Sequence, residues 1–322
     1  MNILNKQTIT IAISSFLYCA AAQIGFGKPP ADGGSHIARG IELAEQKHFD
    51  AAVAEFSKAI EESPKDPRRY ANRGTAYRQG GRAAEAANDA DGATTRYTAA
   101  LADFSKQIEL APKDASGYLE RGQTEYLLKQ YDPALADLNK ALELKPEDVL
   151  ALKFRGAAEI GLSQWDKAIA DMTAAIQKDP NDPISYDRRA WANRNLKNYD
   201  AAVADYTLLI EKNPADAEHL VKRGATYTAM LQFEKAIADY QAALRINPQD
   251  NDTFQRLQYV QGMLAAKNAP PPTATPTPEK PSLISRISPL YIVIGILALV
   301  LIAVIVRIVT RGKVEPTSRI IR

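Results

Sequence analysis

Small and large apolar positions recur through the middle of this chain at one spacing, and that spacing predicts pairs of helices. Prolines stand at Pro64, Pro112, Pro146, Pro180, Pro214 and Pro248; four of the five intervals are 34 residues and the first is 48. With each proline taken as position 32, position 8 reads Gly40, Gly74, Gly122, Gly156, Ala190 and Gly224. Position 20 is always alanine: Ala52, Ala100, Ala134, Ala168, Ala202 and Ala236. Position 24 is large: Phe56, Phe104, Leu138, Met172, Tyr206 and Tyr240. Position 17 is aromatic throughout: Phe49, Tyr97, Tyr131, Trp165, Tyr199 and Phe233. A fixed period of this length marks a repeated supersecondary unit. Small residues at 8 and 20 let two helices approach closely, the bulky residue at 24 fills the space beside them, and proline ends the second helix. Such a hairpin has two apolar faces and is stable only when stacked, so the fold class is all-α, a solenoid.

The units run 33–66, 67–114, 115–148, 149–182, 183–216 and 217–250. The second is longer by 14 residues. Tyr77 and Gly80 keep the first helix in register and Tyr97, Ala100 and Phe104 keep the second, so the insertion is 81–94, between the helices. Fourteen residues are close to four helical turns. Two conformations therefore stand: longer helices that keep phase, or a surface loop. The Asp-Ala-Asp-Gly stretch within it lacks the further carboxylates of a calcium loop. After Pro248, Asn251 and Asp252 can cap a last helix over 251–267. Its Phe254, Leu257, Val260 and Leu264 would cover the final hairpin, with Gln255, Arg256, Gln258 and Gln261 toward water.

Two apolar runs concern the membrane. Residues 1–22 carry Lys6, the run Ile9 to Ala22 and a terminal Ala20-Ala21-Ala22, the pattern of a secretory signal peptide; an uncleaved anchor is the alternative. Residues 287–309 are apolar except for Ser288, Pro289 and Arg307, long enough for a single transmembrane helix across a ~30 Å hydrocarbon core. Arg307, Arg311, Lys313, Arg319 and Arg322 follow the span, against Lys280 and Arg286 before it. The positive-inside rule then puts the tail 310–322 in the cytoplasm and the repeats outside the bacterial cytoplasmic membrane, in the periplasm. The segment 268–286 holds six prolines between Pro270 and Pro281 and reads as an extended stalk.

Composition narrows the function. The net charge of +2 gives no pull toward nucleic acid. Cys19 is the single cysteine, so neither an internal disulfide nor a thiolate metal site can form. His36, His48 and His219 fall at unrelated repeat positions, and no nucleophile elbow, phosphate loop or zinc-protease motif is present. The expectation is a protein that is no enzyme and takes no cofactor or metal.

The positions quoted above resemble the tetratricopeptide repeat family, across about Gly33 to Pro248. The resemblance implies a right-handed superhelix whose first helices line a concave, polypeptide-binding face. Two departures stand out. Position 7 is always arginine (Arg39, Arg73, Arg121, Arg155, Arg189, Arg223), and position 23 is always acidic (Glu55, Asp103, Asp137, Asp171, Asp205, Asp239). Opposite charges recurring together predict a structural ion-pair ladder; the competing reading is a row of ligand-binding arginines.

By the same resemblance the groove carries Arg78, Tyr126, Lys153, Arg188, Trp191, Arg194 and Lys222. Trp191 is either an interface anchor or packed between hairpins. Its cationic neighbours favour an acidic segment of a partner protein or peptide. The family's carboxylate clamp is broken: Lys153 stands at position 5, but position 9 of that unit is Ala157. The function expected is a membrane-anchored interaction scaffold. A binder of envelope polysaccharide or lipid head groups, or a regulatory subunit of an envelope enzyme, are the alternatives.

Overall fold

The computed structural model describes residues 35–269 and 289–311, and the regular structure among them is entirely helical. The expected signal peptide, nearly all of the proline-rich segment and nearly all of the basic tail lie outside the described residues. The chain divides into two units, Met1–Lys267 and Asn268–Arg322. The first holds hairpins made of α1 (Ser35–Glu45) with α2 (Phe49–Glu62), α3 (Pro67–Ala86) with α4 (Ala90–Leu110), and α5 (Ala115–Leu127) with α6 (Tyr131–Leu144). They continue with α7 (Val149–Gly161) and α8 (Trp165–Lys178), then α9 (Pro183–Asn195) and α10 (Tyr199–Lys212). The last hairpin is α11 (Ala217–Ala229) with α12 (Phe233–Ile246), followed by α13 (Asn251–Asn268). In the second unit, α14 (Pro289–Arg311) contains Leu290–Thr310, 21 residues of mean hydropathy 3.2, long and apolar enough to cross a membrane.

The spacing of small and large residues sets how closely each hairpin closes. A methyl group added at Gly40 would stand 2.6 Å from the Phe56 ring, so the first hairpin closes only with position 8 bare, while the fifth accommodates Ala190 against Tyr206. Phe56, Phe104, Leu138, Met172 and Tyr206 are completely buried, as are the alanines at position 20 opposite them. Each hairpin turns through a residue other than glycine in the left-handed region: Lys47, Asn88, Lys129, Ser163, Lys197 and Leu231, with φ between 58° and 64°.

The first helix of each hairpin after the initial one starts on an aspartate whose carboxylate accepts from the backbone N–H groups of the first turn. Asp66 takes Arg68 N at 3.0 Å, Asp114 takes Ser116 N at 2.9 Å, and Asp148 takes Leu150 N and Ala151 N. Asp182, Asp216 and Asp250 repeat the arrangement. Each satisfies orphan donors and is worth about 1 kcal/mol. The cap of α13 is thus Asp250 rather than Asn251 or Asp252, because it stands one residue before the first helical turn.

The 14 inserted residues became helix. With 20 and 21 residues, α3 and α4 exceed the 13 and 14 of α5 and α6 by seven each, about two turns, which returns every side chain to its face. Residues 81–94 therefore end α3 and begin α4 around a turn at 87–89. The extension holds itself together: Tyr97 donates to Glu85 Oε2 at 2.9 Å, and Gly81 lies against the Tyr97 ring.

Arginines at position 7 tie hairpins together. Arg73 Nε and Nη2 meet Asp103 at 2.9 and 2.8 Å, and the same fork joins Arg121 to Asp137, Arg155 to Asp171, Arg189 to Asp205 and Arg223 to Asp239. The third nitrogen, Nη1, reaches back to the preceding hairpin, donating to Ser57, Ser105, Asn139, Thr173 and Thr207 at 2.9–3.2 Å. All five aspartates are buried. The first unit departs from this. Arg39 pairs with Glu42 at 2.6 Å, and Glu55 is taken by His36 at 2.5 Å and Lys58 at 2.8 Å. The physical reason is local: position 4 is His36 only here, and its ring reaches Glu55 first.

At the other end, Leu257 and Val260 of α13 bury against Phe233 and Tyr240. Phe254, expected in that seam, is 45% exposed.

Candidate peptide-binding groove

First helices of neighbouring hairpins, from α1 to α9, touch one another more than the second helices do, so the first helices line the inner side of the stack. Their side chains would meet any ligand held there. Of the seven residues expected to line this face, two belong to the fold. Arg78 is 3% exposed, paired with Glu120, hydrogen-bonded to Gln123 Oε1 at 2.7 Å and seated 5.6 Å from the Phe104 ring centre. Tyr126 is half-buried against Tyr131 and Phe154.

Three cations are engaged by the protein's own acceptors. Lys153 Nζ lies 3.0 Å from Asp182, the cap of α9, and Arg188 donates to the Lys153 carbonyl at 3.0 Å. Lys222 Nζ sits between Asp187 at 2.7 Å and Glu218 at 2.8 Å. His219 joins this cluster, 2.9 Å from Asp216 and 3.5 Å from Asp187. Burial opposes charge on its imidazole, but the two carboxylates outweigh burial and raise its pKa to about 9. The cluster is therefore an internal network of alternating charge joining α9 to α11, and its lysine offers a ligand little unneutralised charge.

Trp191 and Arg194 remain. Trp191 is 36% exposed, and the Arg194 guanidinium lies 5.6 Å from its ring centre, within cation–π range. Beyond Arg194 the inner face continues into a cleft of about 330 Å³ between α9, α11, α12 and α13. Thr228, Tyr240, Gln255, Arg256 and Tyr259 line it. Gln255 and Arg256 are residues expected to face water, and Tyr259 is one that no expectation covers. A signal was present: numbering continued past Pro248 puts Arg256 at position 6 and Tyr259 at position 9, groove positions in the earlier units.

Two carboxylates at position 11 are chemically unusual. Burial, reinforced by the charge of Asp171, raises Glu159 to about 7 against the opposing Arg155. Glu125 is raised to about 7 by burial and then by Asp137. Among the described residues no group of three or more metal-ligating side chains gathers.

A tetratricopeptide repeat model matches residues 37–96, 87–149, 130–183 and 155–217, and another of the same description matches 217–250. No curated protein matches the chain. Among solved structures, YrrB, described as a TPR protein with an unusual peptide-binding site, is 23% identical with a TM-score of 0.52, over 63% of this chain and 97% of its own. The Cut9–Hcn1 hetero-tetramer of the APC/C gives 17% identity and a TM-score of 0.53, over 77% of this chain and 46% of that one. The first TPR of Spaghetti (RPAP3), bound to an HSP90 peptide, gives 28% and 0.35 over 36% of this chain and 93% of its own. At these identities the first two likenesses establish the fold alone.

Proposed function

Because the chain belongs to the tetratricopeptide repeat family, we propose that it is a scaffold without catalytic activity of its own, holding a partner polypeptide along its first helices. The observation that carries this is the exposed Trp191 with Arg194 on the inner face, where Arg78, Tyr126, Lys153, Arg188 and Lys222 are buried or engaged by the protein's own groups. A partly exposed tryptophan flanked by arginine is the composition of an interface anchor.

The scaffold is anchored in the bacterial cytoplasmic membrane by α14 and displayed on its outer side. Support comes from the apolar length of Leu290–Thr310 and from the excess of basic residues after it. A reporter active only outside the cytoplasm, inserted after Lys267, is expected to work; silence would reverse the orientation.

For the groove, a photo-crosslinking amino acid replaces Trp191 in one full-length variant and Leu231, at an exposed hairpin turn, in another. One discrete adduct at position 191 and none at 231 is the expected result. Equal labelling at both, or none at 191, would overturn the reading.

A further inference from the structure

Resting on the scaffold reading, we propose that the cleft bounded by α9, α11, α12 and α13 receives an acidic side chain of the bound polypeptide, between Arg194 and Arg256. The charge on the inner face argues for this place. Lys153, Lys222 and Arg78 each meet a carboxylate of the protein, whereas Arg194 has no ion-pair partner among the described residues and lies with its guanidinium 5.6 Å from the Trp191 ring centre. Arg188 also meets no carboxylate, but the Lys153 carbonyl holds it at 3.0 Å, so the charge of Arg194 is left for a ligand to answer.

Arg256 stands across the cleft and pairs through Nε with Asp252 at 2.8 Å, one helical turn away and exposed. Such an i,i+4 surface pair holds its members weakly and uses one edge of the fork, so the outer nitrogens can turn to a second carboxylate. Planar guanidinium groups match a carboxylate bidentately. The neighbouring Asp239 does not compete, since Arg223 binds both of its oxygens.

The floor adds a donor. Tyr240 is buried but its hydroxyl lies 3.4 Å from Thr228 Oγ1, longer than a good O–H···O bond, while Thr228 donates to Gly224 O at 2.9 Å. The phenol O–H is therefore only weakly hydrogen-bonded within the protein and can donate to a ligand oxygen. Val260 and Ala225 supply apolar wall, and Tyr259, 63% exposed, stands at the rim. The volume of about 330 Å³ is at the lower end for small-ligand sites and suits one or two side chains. A polypeptide rather than a free anion fits because the flanking Trp191 and Tyr259 offer apolar contacts that a small anion would leave uncovered.

Peptides are selected on the full-length chain in detergent from a phage library of random twelve-residue sequences. Each enriched peptide is then synthesised with its Asp or Glu and with the matching amide. Binding is followed by fluorescence anisotropy to the native chain, to Arg194→Gln and Arg256→Gln, and to Arg245→Gln as an exposed control of equal charge.

The expected result is enrichment of acidic residues beside an aromatic or aliphatic one. Removing the peptide's charge or Arg194 should each weaken binding by about tenfold or more, with the two losses not adding. Thermal unfolding by circular dichroism confirms that the variants fold. Enriched peptides that ignore Arg194 and Arg256 would overturn the cleft assignment and leave the scaffold reading standing. No enrichment over empty micelles would overturn both. Inorganic phosphate displacing the peptide at equal concentration would show a site for small anions instead.

Discussion

At the scale of single residues, the arginine forks are where removing one partner of a pair costs most. Arg155 satisfies both oxygens of the buried Asp171 and bonds Asn139 in the preceding hairpin, so one side chain serves two interfaces. Arg155→Met leaves an uncompensated carboxylate and is expected to cost about 3–5 kcal/mol, while Arg155→Met with Asp171→Leu recovers most of the loss. Urea unfolding of the three chains measures this; a double variant as weak as the single would show that the pair stabilises beyond its own neutralisation. Glu159 stands beside the same fork and works against it. Its folded pKa of about 7 lies above the ordinary carboxylate value of 4.5, so the folded state binds its proton more tightly than the unfolded chain. Stability from this group is full below pH ~4.5, is lost as pH rises to about 7, and is flat above. Glu159→Gln should therefore gain roughly 2–3 kcal/mol at pH 8 and little at pH 4.5. A gain equal at both values would remove the titration argument.

At the scale of elements, the hairpin turns and helix starts have different chemistry. The first helices after the initial hairpin, and α13 after them, start on aspartate, and this recurrence was open to sequence reasoning: Asp66, Asp114, Asp148, Asp182, Asp216 and Asp250 are in phase with the prolines. The turns, by contrast, adopt one left-handed conformation with lysine, asparagine, serine or leucine, so no residue type announced it. Leu231 is the least suited of these, with φ of 58° and 63% exposure. A β-carbon in this region costs about 1–2 kcal/mol, and glycine returns part of that gain as unfolded-chain entropy. Leu231→Gly is expected to raise stability by about 0.5–1 kcal/mol, read as a higher urea midpoint at unchanged slope; a lower midpoint would mean that the side chain packs in solution.

The same contrast explains what was legible about the fold and the candidate groove. Features that repeat in phase, such as the small positions, the proline and the opposed charges at 7 and 23, could be read because each hairpin restates the others. The two-turn lengthening of α3 and α4 stayed open, since fourteen alanine-rich residues suit a loop as well as helix. The groove was harder. Asp182, Asp187 and Glu218 neutralise its cations through contacts that differ from one pair of hairpins to the next, and no period marks them. The cleft gathers Arg194, Tyr240 and Tyr259 from separate helices, a convergence that only stacking creates.

At the scale of the molecule, a stack in which hairpins contact chiefly their neighbours unfolds locally, and its least-coupled hairpin opens first. The two ends of this array differ. At the C-terminal end α13 covers the last hairpin with Leu257 and Val260, and Asp250 holds its start through two backbone N–H groups. The last hairpin also keeps its full fork, Arg223 to Asp239 with the link to Thr207. The first hairpin has no fork: Arg39 pairs within its own helix on the surface, and the polar link between α1 and α2 rests on His36 and Glu55. A surface pair within one helix adds a few tenths of a kcal/mol at most, against a half-buried bidentate pair in every later unit. Hydrogen exchange followed by mass spectrometry on the full chain should then show amides of α1 and α2 exchanging first. Those of α5 to α8, held by forks and by neighbours on both sides, should exchange last, with α11 and α12 in between. His36→Tyr, which installs the residue found at position 4 in three other units, frees Glu55 from its histidine partner. If the first hairpin is limited by its missing fork, Arg39 can then swing to Glu55 and protection of α2 rises; if protection falls, the histidine contact is what holds that hairpin closed.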